Sequence, residues 1–427
     1  MREMKDSGIE WIGAIPQDWQ LSKIGSLYTQ RNEKVSDKDY QPLSVTMQGI
    51  LPQLATAAKT DDGDNRKLVR AGDFAINSRS DRRGSCGISP LDGSVSLINI
   101  ILTPRTAMHP GYYNWLFHTT LFADEFYKWG HGIVADLWTT RWQEMKSITV
   151  PVPEYAEQER IAALLDAECA EIDAVLEKTR ASIEEYKKLK QAVITQAVTK
   201  GIRGDRPMKD SGIEWIGEIP AEWRKTQLRH CAAIKSGITL GKKYEKTDSL
   251  VERPYLRVAN VQDGYVDLSV LTTIEVTQDE DLKYRLRAGD VLMTEGGDRD
   301  KLGRGCVWHG EIEPCLHQNH IFAVQTSKDT LLPEFLEYLT VSDVGRSYFD
   351  VTAIKTTNLA CTSSSKVLAF TIPLPSVEEQ AEIVEALNTK CAGIDALVAK
   401  KQQYLTEIEN YKKSLIYEYV TGKKEVV

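Results

Sequence analysis

Apolar residues recur at intervals of three and four along two long segments of the chain. The first segment runs from about residue 157 to residue 200 and contains no proline or glycine. Both features are typical of an amphipathic α-helix, and a helix of about 44 residues would be about 66 Å long. The eight apolar positions of the first segment are Ile161, Leu165, Ile172, Val175, Ile183, Tyr186, Leu189 and Val193, and those of the second are Ile383, Leu387, Ile394, Leu397, Leu405, Ile408, Tyr411 and Leu415.

These two sets of positions correspond at an offset of 222 residues, while the charged residues between them differ. The pattern favours an a/d seam between two paired helices. The alternative is that each helix packs on its own domain. Glu168 and Thr179 interrupt the first seam, and Lys390 and Lys401 interrupt the second. Polar residues at such positions lower the stability of a coiled coil but fix the register of its helices.

The chain also contains an internal repeat. Residues 4–13 recur letter for letter at 208–217, an offset of 204. A Pro-x-Pro sequence at 151–153, followed by Glu-Gln, recurs at 373–375 at an offset of 222, so the second copy carries 18 more residues between the two landmarks. The period is too long for a solenoid. The sequence therefore predicts a duplicated domain with one variable insert in each copy.

We accordingly predict an α+β fold with two tandem α/β domains, each followed by a long helix. The predicted segments are a first domain at 1–153, a central helix at 154–201, a second domain at 202–375 and a C-terminal helix at 376–427. The two helices are expected to pair as an antiparallel coiled coil. Such pairing would relate the two halves of the chain by a pseudo-two-fold axis.

Composition is that of a globular protein, with 42% hydrophobic and 27% charged residues. The seven cysteines are odd in number and irregularly spaced, which argues against a disulfide framework and favours the cytoplasm. No stretch approaches about 18 consecutive apolar residues, and the first residues lack the apolar run of a secretory signal. We therefore expect neither a membrane span nor secretion.

The net charge of −8 argues at first against a nucleic-acid partner, but the position of the charges matters more than their sum. Residues 20–150 contain 15 basic and 13 acidic side chains, and residues 224–372 contain 19 and 20. The acidic surplus therefore belongs to the predicted helices and the repeated openings. The variable inserts are close to neutral.

Basic residues cluster in two polar loops of the inserts, at 77–84 and 296–305, and each loop follows a predicted strand, at 73–76 and 290–293. Arginine, asparagine, serine and threonine are the types that hold phosphates and read base edges in the major groove. The alternative is an ordinary solvated turn. Recurrence of the loop in both inserts favours binding.

No pattern for catalysis emerges from the chain. Residues 237–243 resemble a phosphate-binding loop but have three residues between the glycines where four are required, and Lys243 replaces the Ser/Thr that would hold magnesium. The chain contains no Pro-Pro pair, so it lacks the Asn/Asp-Pro-Pro-aromatic loop of amino-methyltransferases. Cys306, His309, Cys315, His317 and His320 match no usual zinc spacing, and we predict no metal site.

The doubled Lys-Asp-Ser-Gly-Ile-Glu-Trp-Ile-Gly-x-Ile-Pro opening, the Pro-x-Pro followed by Glu-Gln, and the long helix after each insert resemble the DNA-specificity subunit of type I restriction–modification enzymes. The resemblance spans essentially the whole chain and is loose inside the inserts. The family implies that each insert is a target-recognition domain for one half of a bipartite DNA sequence. It also implies that the paired helices act as a ruler for the unread spacer.

The resemblance further implies that the chain has no catalytic activity and binds no cofactor itself. Its expected partners are double-stranded DNA, two methyltransferase subunits that use S-adenosylmethionine to methylate adenine, and two translocase–nuclease subunits that use ATP and magnesium. The rival interpretations are a self-contained DNA-modifying enzyme, which would need a cofactor loop and catalytic carboxylates, and a pseudo-symmetric scaffold that does not read DNA.

Polar loop residues are the candidates for DNA contact. In the first domain they are Thr46, Gln48, Asn77, Ser78, Arg79, Arg82 and Arg83. In the second domain they are Arg257, Asn260, Gln262, Thr294, Arg299, Lys301 and Arg304, with Lys355, Thr356 and Asn358 before the final strand. Lys242 and Lys243 are expected to hold phosphates, which adds affinity without sequence information.

Overall fold

The structure is a computed structural model that describes residues 2–53, 62–132, 138–245, 249–297, 302–355 and 360–426. The chain forms two compact units. The first contains Met1–Arg180 and Gln402–Val427, and the second contains Ala181–Lys401. Each unit therefore combines one α/β domain with a part of each long helix.

The first unit is built around a four-stranded antiparallel sheet in the order β10-β9-β12-β4. Helices α2 and α3 cover this sheet with Tyr113, Phe117 and Phe122. The Phe117 ring packs on Phe74 of β9 at 4.6 Å and also contacts the rings of Tyr113 and Phe122. The strands are β1 (Met4–Asp6), β2 (Ala14–Pro16), β3 (Gln20–Lys23), β4 (Tyr28–Arg31), β5 (Lys34–Val35), β6 (Leu43–Thr46), β7 (Gly49–Pro52), β8 (Arg66–Val69), β9 (Phe74–Asn77), β10 (Cys86–Ile88), β11 (Gly93–Val95), β12 (Asn99–Pro104) and β13 (Thr149–Val152). The helices are α1 (Ile24–Leu27), α2 (Pro110–Phe117), α3 (Thr120–Lys128), α4 (Trp142–Met145) and the long α5 (Tyr155–Lys200).

The second unit repeats this plan, with its main sheet in the order β22-β20-β24-β17. Phe335 and Phe349 take the places of the covering aromatics. The strands are β14 (Met208–Asp210), β15 (Glu218–Pro220), β16 (Arg224–Gln227), β17 (Ala232–Ser236), β18 (Leu250–Leu256), β19 (Thr272–Thr277), β20 (Val291–Thr294), β21 (Gly296–Gly297), β22 (Gly305–Val307), β23 (Leu316–His317), β24 (Ile321–Thr326), β25 (Ile354–Lys355), β26 (Ala360–Cys361) and β27 (Thr371–Leu374). The helices are α6 (Gln278–Tyr284), α7 (Pro333–Val341), α8 (Asp343–Thr352), α9 (Ser364–Ala369) and α10 (Val377–Val420).

The repeated opening forms a β-hairpin in each unit, β1 with β2 and β14 with β15. The lysine of the motif ties the hairpin to the chain that follows: Lys5 Nζ donates to the carbonyls of Gln17 and Trp19, at 2.8 and 2.7 Å. Lys209 Nζ makes the equivalent two bonds, to Ala221 and Trp223. The identical letters therefore encode an identical local structure.

The Pro-x-Pro segment and the Glu-Gln pair join each opening and each domain to its helix. Glu157 at the start of α5 accepts a hydrogen bond from the Trp19 indole at 2.9 Å, and Glu379 of α10 accepts one from Trp223 at 2.9 Å. The next residue, Gln158, accepts from the backbone N–H of His109, which caps α2. This motif is thus a structural lock, because the glutamate holds the opening and the glutamine holds the domain.

The two long helices pair antiparallel within each unit, which confirms the predicted coiled coil. In the first unit Asp173 pairs with Lys412 at 2.6 Å, and Arg180 pairs with Glu409 at 2.6 Å. Residues later in α5 thus pair with residues earlier in α10, as antiparallel helices require. In the second unit the Lys401 ammonium lies over the Tyr186 ring at 5.6 Å, and Lys190 pairs with Asp395 at 2.7 Å.

Each helix also packs on an α/β domain, so the predicted alternative holds alongside the pairing. Ile161 and Leu165 of α5 share one core with Leu415 of α10 and the aromatics of the first domain. Ile383 and Leu387 of α10 share the core of the second domain with Ile194 of α5. The ends of the helices are therefore fixed twice, by each other and by a domain.

The predicted seam is wrong at four positions: Val175, Leu189, Leu397 and Tyr411 are 39, 48, 44 and 54% exposed. The nearby residues Leu176 and Ile194 of α5 are buried instead. At the predicted interruptions, Glu168 and Lys390, the next residues along the chain, Cys169 and Cys391, are buried. Along α5, the buried Ile161, Leu165 and Cys169 and the half-buried Ile172 follow one another at spacings of four, four and three. An 11-residue spacing of this kind follows the 3.6-residue turn more closely than a strict heptad does.

Candidate nucleic-acid interface

The first basic loop leaves the main sheet at the end of β9. Asn77 and Ser78 are buried there, at 7 and 5% exposure. The Asn77 Oδ1 accepts a hydrogen bond from the Arg79 N–H at 3.1 Å, and the Ser78 hydroxyl donates to the Ile98 carbonyl at 2.5 Å. The polar groups of these two candidates are thus used to shape the loop inside the domain.

Three arginines of the same loop reach the surface. A short 3₁₀ helix at Ser80–Arg82 presents Arg79 and Arg82 beside Asp81, and their side chains are 38 and 69% exposed. Arg83 pairs with Asp124 of α3 and lies over the Tyr127 ring at 5.7 Å, with its side chain 53% exposed. Surface ion pairs of this kind are weak, so a phosphate or a base edge can replace the carboxylate at small cost.

Thr46 and Gln48 occupy the turn between β6 and β7. The Thr46 hydroxyl donates to the Gly49 carbonyl at 2.9 Å and accepts from the Gln48 N–H at 3.1 Å. The hairpin is seated against β10, where a Cβ on Gly87 would come 2.9 Å from the Gly49 Cα. The fold thus brings this turn to the strand that follows the arginine loop.

In the second domain, Arg257, Asn260 and Gln262 surround a 3₁₀ turn at Val258–Asn260. Asn260 is buried, and its amide nitrogen donates to the carbonyls of Asp267 and Val270 while its oxygen accepts from the Arg257 N–H. The Gln262 side chain donates to the Ala259 carbonyl at 2.7 Å. Arg257 is half-buried. Asn260 therefore serves the turn, while Arg257 and Gln262 border the surface.

The second basic loop follows β20. Thr294, the last residue of that strand, is 3% exposed. Arg304 is half-buried, and its Nε has no hydrogen-bond partner among the described residues. Lys355 ends β25. The remaining candidates of this region, Arg299, Lys301, Thr356 and Asn358, lie outside the described residues.

Lys242 and Lys243 are both exposed. The Lys242 ammonium pairs with Glu280 at the start of α6 and lies over the Tyr244 ring at 5.4 Å. Burial alone would raise the pKa of Glu280, but its hydrogen bonds with Lys242, Thr277 and Tyr244 outweigh burial and lower the pKa. Lys243 presents its charge at the surface and is the better placed of the two for a phosphate.

The cysteine–histidine segment contains no group of side chains that could hold a metal within the described part of the chain. His317 is fully buried, and its Nδ1 lies 3.1 Å from the Ile321 carbonyl. Burial lowers the pKa of His317 to about 4. Cys306 and Cys315 are buried in an apolar cluster, while His320 pairs with Glu295.

Glu337 of α7 supports the strand that follows Arg304. Its Oε2 accepts a hydrogen bond from the Val307 N–H of β22 at 3.2 Å. Burial raises the pKa of Glu337 to about 7, and the nearby charges of Glu334 and Asp263 act in the same direction. The second unit thus carries a carboxyl group that ionises near neutral pH behind its candidate binding loop.

Replacing Glu337 with glutamine should raise the free energy of unfolding of the second unit at pH 8 by up to about 3 kcal/mol, and by less than about 1 kcal/mol at pH 5. A carboxyl whose pKa is raised by folding binds more protons when folded. Stability therefore falls as pH rises from the ordinary value of 4.5 to about 7, and the penalty is complete above that. Glutamine cannot ionise and keeps an acceptor for Val307.

Urea unfolding followed between pH 5 and pH 8 would measure this effect. Glu275→Gln is the matched control, because Glu275 is an exposed carboxylate of β19 in the same unit, and we expect it to leave the pH dependence close to that of the unchanged chain. An equal stabilisation by Glu337→Gln at both pH values would contradict the assignment.

Exposed side chains that the sequence did not single out for DNA contact lie beside these loops. Leu97 and Ile98, before β12, are 39 and 40% exposed. Glu295 and His320 pair at 2.5 Å at the corresponding place in the second domain. The offset of 222 residues aligns 97–98 with 319–320 and could have drawn attention to them. The other candidates were selected because they lie in clusters of basic residues, and these four residues do not form such a cluster.

The molecule thus has two α/β units of one plan, each presenting polar and basic loops at the edge of its main sheet and each joined to paired antiparallel helices. None of the helices in the described ranges is long and apolar enough to cross a membrane. This architecture defines a duplicated recognition protein with a helical connector.

Known proteins share this construction. The chain is 26% identical over 208 residues to the putative type I restriction enzyme MjaX specificity subunit of Methanocaldococcus jannaschii, covering 48% of this chain and 47% of that protein. It is 23% identical over 440 residues to the type I restriction enzyme EcoKI specificity subunit of Escherichia coli K12, covering 96% and 90%. The match thus spans about half the length of the archaeal relative and most of the bacterial one. No family model matches the chain.

The fold is also that of a solved chain of a type I R-M system, from a study of complex assembly and conformational transition. The TM-score is 0.72 at 16% identity, with 96% of this chain and 99% of that chain covered. In sequence and in fold, this chain is therefore similar to specificity subunits of type I restriction enzymes over most of its length. This similarity supports the DNA-recognition interpretation over a self-contained enzyme or a scaffold.

Proposed function

We propose that this chain is the sequence-specific DNA-recognition subunit of a type I restriction–modification complex. Each α/β domain would read one half of a bipartite target, and the paired helices would set the length of the unread spacer. The observation that carries the proposal is the equivalence of the two units. A chain with two like-built reading domains on antiparallel helices is suited to two half-sites on one duplex.

The loops at the end of β9 and β20 supply the chemistry for reading DNA. Arginine pairs bidentately with guanine, and glutamine pairs with adenine. We assign base contacts to Arg79, Arg82, Arg83 and Arg304 of these loops, and to Arg257 and Gln262 beside the 3₁₀ turn after β18. Lys243 would hold a phosphate and add affinity without sequence information.

The inserts are close to neutral, so the chain alone should bind DNA weakly. Affinity for duplex DNA comes largely from neutralised phosphates and falls steeply with salt. We infer that partner subunits supply most phosphate contacts. They would be two methyltransferase subunits that use S-adenosylmethionine to methylate adenine, and two translocase–nuclease subunits that use ATP and magnesium. The chain itself would perform no catalytic step and bind no cofactor.

Co-expression with a cognate methyltransferase subunit, followed by genome-wide mapping of modified adenines, tests the proposal. We expect one bipartite motif with a spacer of constant length, present only when both chains are expressed. Methylation by the purified chain alone would instead favour a self-contained enzyme. Absence of any sequence preference in the complex would favour a scaffold.

Replacing Arg304 with alanine should relax or abolish recognition of one half-site only. A single bidentate arginine contributes about 1–3 kcal/mol of discrimination at its base pair. The measurement is the modified-adenine motif of cells that carry the variant. Arg224→Ala, which removes an exposed arginine of β16 in the same unit, is the control and should leave the motif unchanged. Equal loss at both half-sites would refute the assignment of Arg304 to the second domain's target.

A further inference from the structure

The two domains share one backbone arrangement at the point where the strand before each basic loop ends. In the first domain the Ser78 N–H donates to the Ile98 carbonyl at 3.4 Å, and the Thr140 N–H donates to the Ser78 carbonyl at 3.0 Å. In the second, Glu295 N–H donates to the His320 carbonyl at 2.9 Å, and Thr362 N–H donates to the Glu295 carbonyl at 2.7 Å. Glu295 therefore occupies the place of Ser78, and His320 that of Ile98.

The exposed side chains beside this shared backbone arrangement are apolar in the first domain and polar in the second. The first domain exposes two apolar side chains, Leu97 and Ile98, at 39 and 40%. The second exposes a hydrogen-bonded polar couple, with the His320 side chain 54% and the Glu295 side chain 34% exposed. A conserved backbone with contrasting exposed side chains is what two domains need in order to read different sequences from the same position.

The geometry of the second domain restricts what it can accept. The Glu295 Oε2 lies 2.5 Å from His320 Nδ1. A carboxylate can only accept, so the His320 Nδ1 carries the hydrogen and holds the carboxylate in place. The second carboxylate oxygen of Glu295 is left as an acceptor. The couple thus offers a positioned acceptor, which matches an exocyclic amino group of a base in the major groove.

We propose that this position contacts one base pair in each half-site. Glu295, positioned by His320, accepts a hydrogen bond from the N4 amino group of cytosine or the N6 amino group of adenine. Leu97 and Ile98 pack on the methyl group of a thymine, the apolar feature of the major groove. The inference rests on the proposed function and names the specificity of its sites.

The flanking residues suit such a contact. In the first domain Leu97 and Ile98 border a recess of about 390 Å³ that also includes Lys67, Arg79 and Arg141. A basic border can hold the phosphates on either side of an apolar base contact. In the second domain, β21 (Gly296–Gly297) follows Glu295 directly and pairs with β26. Glycines without side chains there allow a duplex to approach the Glu295–His320 couple closely.

The test uses the purified complex of this chain with its methyltransferase subunit and measures methylation rates on duplexes with modified bases. Each cytosine of the second half-site, and each adenine other than the methylated one, is replaced in turn by 2-pyrimidinone or purine, which lack the amino group. With the unchanged chain, we expect one of these replacements to lower the methylation rate about 5- to 150-fold. With the Glu295→Ala or the His320→Ile variant, the same replacement should lower the rate hardly further.

The first domain is tested by replacing each thymine of its half-site with uracil. Loss of the contacted methyl should lower the methylation rate of the unchanged chain about fourfold, and Ile98→Ser should remove that difference.

Glu252→Ala is the matched control for Glu295→Ala, because Glu252 is another exposed carboxylate of the second domain and accepts a hydrogen bond from Thr273 at 2.6 Å. It should keep every preference of the unchanged chain.

The outcomes separate the inference from the proposed function. Variants that keep the full sensitivity to every missing amino group or methyl overturn the inference, while a bipartite preference of the unchanged chain leaves the function standing. A complex of the unchanged chain without sequence preference overturns both. In each variant the untouched half-site serves as the folding control, and a variant that loses preference at both half-sites equally counts against the inference.

Discussion

Insertion of one heptad into both long helices should lengthen the spacer of the recognised DNA sequence by about three base pairs while both half-sites are retained. Seven helical residues add about 10.5 Å, and a base pair occupies about 3.4 Å of the duplex axis. A heptad keeps the apolar positions of both helices on the facing side. Recognition of the original target should be lost, because its half-sites would no longer meet the domains together.

The insertion sites should lie opposite each other so that pairing is preserved. Tyr186 of α5 and Lys401 of α10 are in contact, so the heptads enter directly after residue 186 and directly before residue 401. Mapping of modified adenines gives the new spacer. An insertion into α5 alone is the control and should abolish recognition, because it breaks the pairing with α10. An unchanged spacer after the double insertion would refute the helical ruler.

Replacing Glu379 with alanine should destabilise the second unit by about 3–5 kcal/mol, the usual cost of removing one partner of a buried ion pair. The Glu379 and Arg206 side chains are only 5 and 11% exposed and pair at 2.5 Å. Glu379 also accepts the hydrogen bond of the Trp223 indole. The substitution would leave a buried cation and a buried N–H without their acceptor, which is costlier than the lost contacts alone.

Hydrogen exchange would localise this effect. We expect lost protection in the hairpin β14–β15 and in the first turns of α10, with the hairpin β1–β2 of the first unit unchanged. Glu222→Ala is the matched control, because Glu222 pairs with the same arginine at 3.1 Å but is 54% exposed. An exposed pair contributes at most about 1 kcal/mol. Equal destabilisation by the two substitutions would contradict the buried lock.

Local sequence was sufficient for the helices and for the repeat. The prediction started the first helix at about residue 157 and ended it at 200, and α5 spans Tyr155–Lys200. The predicted strands at 73–76 and 290–293 are β9 and β20, each displaced by one residue. Periodicity and breakers act over neighbouring residues, so they can be read from the chain alone.

The facing side of the helices was predicted less well. Val175 and Tyr411 satisfy a heptad count but are exposed. Which residue enters the seam depends on the partner helix and on the domain beneath it, neither of which is local. Cys169 and Cys391 were assigned no role by the pattern and are buried in the cores of the two units.

The sequence by itself determined that this protein is a duplicated chain with two long helices, because an exact repeat and an apolar period are written in consecutive letters. Only the tertiary structure decided which polar candidates are exposed at the surface. Asn77, Ser78 and Asn260 have the right chemistry for a base edge, yet they are buried in turns. Glu295 and His320 lie 25 residues apart and meet only when β20 and β24 pair. Burial and pairing are set by segments distant along the chain, so residue type could propose the candidates but packing had to choose among them.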